Sequence, residues 1–180
     1  MKGVIFTQLV HHLEEVGGEH FVEQVLEKAD LPNDGAFSSI GTYPSAYAFK
    51  LIETVSQLTG ASEKDLSEQF GEYLFSRFVV LYPEIMSRYA DTEAMLDHVG
   101  SHIHEEVVVL YPDAKPPVVR MTKENGDPIV HYSSHRPLAH VAFGLIKGCL
   151  KHYGDPRGVE WVPGSDSQSA AFRVTAKQDS

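Results

Sequence analysis

Residues 131–136 read HYSSHR, followed by Pro137 and the apolar run LAHVAFGLIKG of residues 138–148. In an extended segment alternate side chains share a face, so Tyr132, Ser134 and Arg136 present two hydroxyls and a guanidinium on one surface. Arginine matches planar, bidentate partners such as carboxylates or phosphates, and the N–H groups of a helix starting near Pro137 add positive partial charge. Upstream, VVRMT (118–122) and IVHYS (129–133) flank KENGDP, whose Asn125-Gly126 is a strong two-strand turn signal. Downstream, the spacing predicts a helix from Pro137 to about Tyr153, closed by Gly154. The stretches VEWV and AAFRVTA, separated by PGSDSQS, then read as a final hairpin.

The first two thirds of the chain reads mostly helical. Ile5, Leu9, Leu13 and Val16 recur at helical spacing before Gly17-Gly18, and Phe21, Val25 and Leu26 repeat the pattern before the break at Leu31-Pro32-Asn33-Asp34-Gly35. A third helix covers Tyr43 to Leu58. Ser62, with Asp65 three residues on, opens a fourth through Leu66, Phe70, Leu74 and Phe78, and Pro83 interrupts soon after. Thr92 is read as the cap of a segment in which Leu96, Val99, Ile103, Val107 and Leu110 form one stripe, ended by Tyr111-Pro112. The sum is an α+β domain: a helical N-terminal part and an antiparallel sheet carrying one long helix. There is no internal repeat, and the last few residues read as disordered.

At 180 residues the chain fits one domain with a real core. The single cysteine, Cys149, excludes an internal disulfide and any thiolate cluster, which fits a reducing cytoplasm. It lies in an apolar helix, so a small core residue is expected there. A formal net charge of −10 without a basic run argues against a nucleic-acid partner. No stretch approaches the roughly 20 apolar residues of a membrane span, and the start MKGVIFTQLVHHLEE lacks the features of a signal peptide. The expected location is therefore the cytoplasm.

Ten histidines invite metal hypotheses, and HVGSHIHEE (98–106) is the densest group. His98, His102 and Glu106 follow at four-residue intervals, which on a regular helix gives one face and a possible zinc site with two imidazoles and a carboxylate; a solvated face is the plainer account. His104 lies roughly 200 degrees around from His102, with Gly100 and Val108 one turn away on either side. A histidine there, with a glycine making room, could serve as a lone ligand facing a large flat group, or as a satisfied, partly buried side chain. No nucleophile–histidine–acid pattern and no Gly-rich phosphate loop is present.

The order of these features is MKGVIF at the start, a helix with HIHEEVVVLYPDAKPP, an Asn-Gly hairpin, Tyr-x-Ser-x-Arg, and a helix ending GLIKGCLKHYG. In that order it resembles the heme nitric oxide/oxygen binding (H-NOX) domain, related to the heme domain of soluble guanylate cyclase. The resemblance spans nearly the whole chain. It implies a single heme-binding domain over 1–180, with a helical distal subdomain over about 1–62 and a proximal subdomain over 63–180, enclosing heme b (iron protoporphyrin IX). Tyr132, Ser134 and Arg136 would clamp the heme propionates. His104, matched by its distance to Pro116-Pro117, would be the proximal iron ligand ahead of His98 and His102, and Pro117 would press on the porphyrin. Ile5, Leu9, Leu74, Phe75, Phe78, Val141 and Leu145 would line the distal side.

Two departures from the family pattern carry weight. Oxygen-binding members have a distal tyrosine nine residues after the motif's first tyrosine, where this chain has Val141. The cysteines that bind a structural zinc in many bacterial members are missing from GVEWVPGSDSQSAAFRV, leaving the last hairpin to Trp161, Val162, Phe172 and Val174. The resemblance therefore implies a sensor and not an enzyme, selective for nitric oxide (with carbon monoxide a further ligand) over oxygen. Its output would go to a histidine kinase or cyclic-di-nucleotide enzyme in trans. The competing readings are a metal-dependent enzyme using His98, His102 and Glu106, and a porphyrin or lipid carrier.

Overall fold

The structure is a computed structural model that describes residues 1–176; residues 177–180, where disorder is expected, and the side chain of Leu110 lie outside the description. The chain divides into two compact units, the first Met1–Phe70 and the second from Gly71 onward.

The first unit is helical, as the periodicity predicts. Helix α1 (Gly3–Ala29) is broken in direction at Gly18, whose φ of 79° and ψ of 171° are open to glycine alone, so the two helical stretches foreseen on either side of Gly17-Gly18 are distinct. Phe6, Leu9, Leu13, Val25 and Ala29 turn inward from α1, and Leu51, Ile52 and Val55 from α2 (Ser45–Thr59). Phe37 stacks on Phe6 at 4.7 Å, with Tyr43 edge-on to both. Ser62 caps α3 (Glu63–Leu81) as expected: its Oγ accepts from the Asp65 N–H at 3.1 Å and donates to the Asp65 carboxylate at 2.7 Å.

The second unit contains the sheet. Strands β1 (Val118–Glu124) and β2 (Asp127–Ser133) form the Asn125-Gly126 hairpin, in which both turn residues have positive φ, 54° and 94°. With β3 (Gly158–Trp161) and β4 (Ser169–Thr175) they make an antiparallel sheet in the order β1-β2-β4-β3. Helix α7 (Ala139–His152) starts two residues later than Pro137 suggested and lays Phe143, Ile146, Cys149 and Leu150 into a core shared with Val130, Tyr132, Phe172 and Val174. Trp161 closes its edge, edge-on to Phe172 at 4.8 Å and stacked on Phe143 at 5.5 Å. The C-terminal part of α3 runs tight against α7 because Gly71 and Gly148 have no Cβ. One at Gly71 would lie 2.9 Å from Gly144 Cα, and one at Gly148 would lie 2.6 Å from Phe75 Cβ.

Between α3 and the sheet come α4 (Pro83–Met86), α5 (Thr92–His98), a π-helical turn (Val99–Ile103) and α6 (His104–Leu110). Here the structure corrects two expectations. The cap of α5 is Asp91, whose carboxylate accepts from the Ala94 N–H at 2.9 Å, while Thr92 is the first helical residue and is buried. The apolar stripe from Leu96 to Val107 does not run along one regular helix, because the π turn interposes i→i+5 bonding.

Candidate cofactor site

Two site residues of the second unit, His104 and Arg136, reach the backbone of residues 115–117. His104 is the first residue of α6, immediately after the π turn. Its imidazole is half-buried, and desolvation holds its pKa below the usual histidine value against an opposing pull from the backbone of Pro117, which as proline can offer only its carbonyl. Nδ1 is buried and makes no hydrogen bond. A neutral imidazole in this state is a competent metal ligand, and leaving a buried ring nitrogen unpaired costs free energy that a bound group would recover.

Gly100 has a different task from the one its spacing suggested. A Cβ there would lie 2.9 Å from the Val119 carbonyl carbon and closer still to the carbonyl oxygen. The missing side chain lets the π turn pack on β1; it does not clear space for a flat group beside His104.

Of the three clamp candidates only Tyr132 lies on β2, which ends at Ser133; Ser134 and Arg136 are positioned by the turn that follows, not by strand alternation. Tyr132 is buried, paired in register with Val119 on one side and Ala170 on the other. Burial raises its pKa, with a hydrogen bond to the Ser134 side chain and the charge of Arg136 acting in the opposite direction. Ser134 is fixed by its own N–H donating to the Gln168 carbonyl at 2.9 Å, and its Oγ accepts from the Arg136 N–H at 3.1 Å. The Arg136 guanidinium donates to the Lys115 carbonyl at 3.0 Å, and among the described residues it has no carboxylate partner. The cation therefore reaches back to the residue that precedes Pro116-Pro117 and retains donors for an anion. Lys115 contributes only its backbone oxygen and carries no side-chain signal by which the sequence could have marked it, while Gln168 adds to its backbone oxygen a side-chain amide that donates to the His135 carbonyl at 3.1 Å.

Of the apolar candidates in this unit, Leu74 and Phe75 are buried, and Phe78, Val141 and Leu145 are half-buried. Phe75 turns into the seam between α3 and α7, against Gly148 and with its ring 5.9 Å from that of His152. Ile5 is half-buried and Leu9 buried within the N-terminal unit. The alternative metal set is divided. Glu106 pairs with Arg88 at 2.5 Å, while His98 and His102 do come together, with ring centroids 4.8 Å apart. Among the described residues no three histidine, cysteine or acidic side chains are grouped to hold a metal ion. No helix among them is long and apolar enough to cross a membrane.

A half-buried imidazole with a buried, unpaired nitrogen, and a guanidinium without a carboxylate joined to it through residues 115–117, suit a metalloporphyrin bearing carboxylates. The comparisons agree. The sequence model of the Haem-NO-binding family matches residues 2–160, and the chain belongs to that family of heme-binding gas-sensor domains. No curated protein matches the sequence. Among solved structures, the ferrous unliganded H-NOX protein of K. algicida is 28% identical, with a TM-score of 0.87 over 99% of this chain and 98% of that one. The S. oneidensis H-NOX protein in its Fe(II)NO state is 22% identical at a TM-score of 0.88, covering 99% of this chain and 100% of its own, and shares the fold. The H-NOX of Shewanella woodyi, solved bound to IWP-051 in the Fe(II)CO state, is 29% identical at a TM-score of 0.82, covering 98% and 95%.

Proposed function

We propose that the chain senses nitric oxide at a ferrous heme b held by His104, discriminates against oxygen, and reports the state of that attachment to a separate enzyme, a histidine kinase or cyclic-di-nucleotide enzyme. The observation that carries this reading is the buried, unpaired Nδ1 of the half-buried His104 imidazole beside Pro117, linked through Lys115 to Arg136, which has no carboxylate partner among the described residues. Ferrous heme, when bound, supplies an open coordination position with affinity for small diatomic gases. Burial keeps the His104 ring neutral near pH 7, so a nitrogen lone pair is available to the iron. Arg136 would take the propionate charge while Tyr132 and Ser134 donate hydroxyl hydrogen bonds, and Pro117 would bear on the ring face next to His104.

Leu74, Phe78, Val141 and Leu145 carry no polar hydrogen. They exclude water and offer a polarised diatomic no donor, which favours nitric oxide, and also carbon monoxide, over oxygen. Phe75, Ile5 and Leu9 are the remaining apolar candidates that the family resemblance implies. Because His104 is the first residue of α6, displacement of its ring is displacement of that helix. A partner responds if it binds the two helix positions with different affinity.

The test is replacement of His104 by Gly, read by absorption spectroscopy of the ferrous protein. His104→Gly should lose the protein-derived axial bond and regain a ligated spectrum on addition of imidazole, whereas His98→Ala and His102→Ala should keep the parent heme spectrum. Loss of the axial bond in His102→Ala, with His104→Gly unchanged, would overturn the assignment.

A further inference from the structure

His98 and His102 flank the π turn, His98 half-buried and His102 exposed, and their rings meet edge to face at 4.8 Å. The second nitrogen of each is already spoken for. His98 Nδ1 lies 2.8 Å from the Ala94 carbonyl, which can only accept, so Nδ1 carries the proton and the Nε2 lone pair is left free. His102 Nδ1 lies 3.0 Å from Ser101 Oγ, a hydroxyl that can accept or donate, so a metal on Nε2 selects the tautomer in which Nδ1 donates to it. Tyr89 stacks on His98 at 5.5 Å and fixes its plane. Imidazoles whose Nδ1–H is held by an oxygen while Nε2 is open are in the state that metal-binding histidines adopt, with the outer oxygen setting both tautomer and orientation.

We propose that the Nε2 atoms of His98 and His102 form a surface site for a divalent first-row transition metal ion, Cu²⁺, Ni²⁺ or Zn²⁺, distinct from the His104 position and completed by water. Imidazole nitrogens select these ions over Mg²⁺ and Ca²⁺, which want oxygen, and among the three Cu²⁺ binds most tightly. The Glu106–Arg88 pair lies to the side: both charges act on Tyr89, so the carboxylate and guanidinium leave little net charge against a cation. A metal on this pair would tie residue 98 to residue 102 across the π turn and so brace it. That the brace bears on signalling rests on His104 as the heme ligand, but the site itself does not.

The experiment uses the heme-loaded chain, stripped of adventitious metal with EDTA and titrated calorimetrically with Cu²⁺, Zn²⁺ and Mg²⁺, with Cu²⁺ paramagnetic resonance as a second readout. One Cu²⁺ or Zn²⁺ per chain should bind, Mg²⁺ should not, and the Cu²⁺ signal should show nitrogen coupling. His98→Gln and His102→Gln should each weaken uptake at least about tenfold, and Ser101→Ala by up to about tenfold through loss of the outer hydrogen bond. Hydrogen exchange of the amides of residues 99–103 should slow on adding Zn²⁺ in the parent and not in the double variant. Absence of stoichiometric uptake, or uptake undiminished in His98→Gln/His102→Gln, would overturn the proposal. Failure of His104→Gly to alter the heme spectrum would leave it standing, so the two readings fail separately.

Discussion

Gly100→Ala sets two effects against each other, and the structure decides between them. Alanine is favoured over glycine in a helix interior by about 1 kcal/mol, so propensity alone says the variant is stabilised. The new methyl, however, would sit 2.9 Å from the Val119 carbonyl carbon, against an optimal separation of about 3.5–4.0 Å, and its nearest neighbour is the carbonyl oxygen of the same group. That obstacle is strand backbone, paired through Val119 to Tyr132, and cannot swing aside as a side chain would. The π turn must retreat from β1 by roughly 1 Å, and overpacking of this kind costs about 1–3 kcal/mol, with an immovable partner putting it at the upper end. The net is a loss of about 2 kcal/mol. For a chain of this length that lowers Tm by about 4–8 °C, measurable by circular dichroism alongside urea unfolding. Because His104 follows within four residues, the ferrous heme spectrum should shift as well. An unchanged or raised Tm would refute the close packing of the π turn on Val119 and with it the reason for a glycine there.

Arg136→Ala should release heme to an apo-globin acceptor at least about tenfold faster, since a charge-assisted hydrogen bond is worth about 1.5–3 kcal/mol; transfer at the parent rate would count against a propionate role. Asp155 is held to a pKa of about 2 chiefly by its hydrogen bonds from Arg157, below its ordinary 3.8, so its contribution is present above about pH 4 and is lost as pH falls through 2. Asp155→Asn should therefore cost about 1–2 kcal/mol at pH 7 after allowance for solvent screening, with the gap to the parent closing towards pH 2; a pH-independent gap would contradict this. The ferrous protein in air should keep its unliganded spectrum because Val141 donates nothing, and a stable oxygen complex in the parent would point to an unidentified donor, with His140 and Tyr47 the first to examine.

The features legible in the sequence are those written in local chemistry. Asn125-Gly126 announced the hairpin because only residues tolerant of positive φ close such a turn, and Ser62 with Asp65 announced α3 because a cap needs a short side chain at that spacing. Strand alternation reads Tyr132, Ser134 and Arg136 together, but β2 ends at Ser133 and a turn, not the pleat, places Ser134 and Arg136. What stayed hidden depends on partners distant in the chain or on backbone atoms. The π turn leaves no residue signature, so a stripe read at 3.6 residues per turn passed straight through it, and the role of Gly100 was assigned to the wrong neighbour. Asp91 and Thr92 are both good caps, and only the burial of Thr92 separates them. Arg136 on the Lys115 carbonyl joins positions 21 residues apart through an oxygen that every residue has.

The way the segment from α5 to α6 is fastened indicates which end of it can respond to His104. At the start of α5, Glu93 accepts from Arg157 at 2.8 Å and pairs with Lys123 at 2.6 Å, and Arg157 also grips Asp155 with two nitrogens. The Asp155, Arg157 and Glu93 side chains of this network are 11%, 27% and 31% exposed, with Lys123 at its open edge. Networks of that kind hold where single exposed pairs do not. In the middle, Gly100 keys the π turn against β1. At the α6 end the Arg88–Glu106 pair has side chains 53% and 40% exposed, and Val109 stands 80% exposed. Local stability follows buried contacts, so α6 is the weakly held end and α5 the anchored one. If His104 holds the heme as proposed, a pull on it at the junction would move α6 about the π turn while α5 stays with the sheet, and a partner would read the surface carrying Glu105, Val108 and Val109.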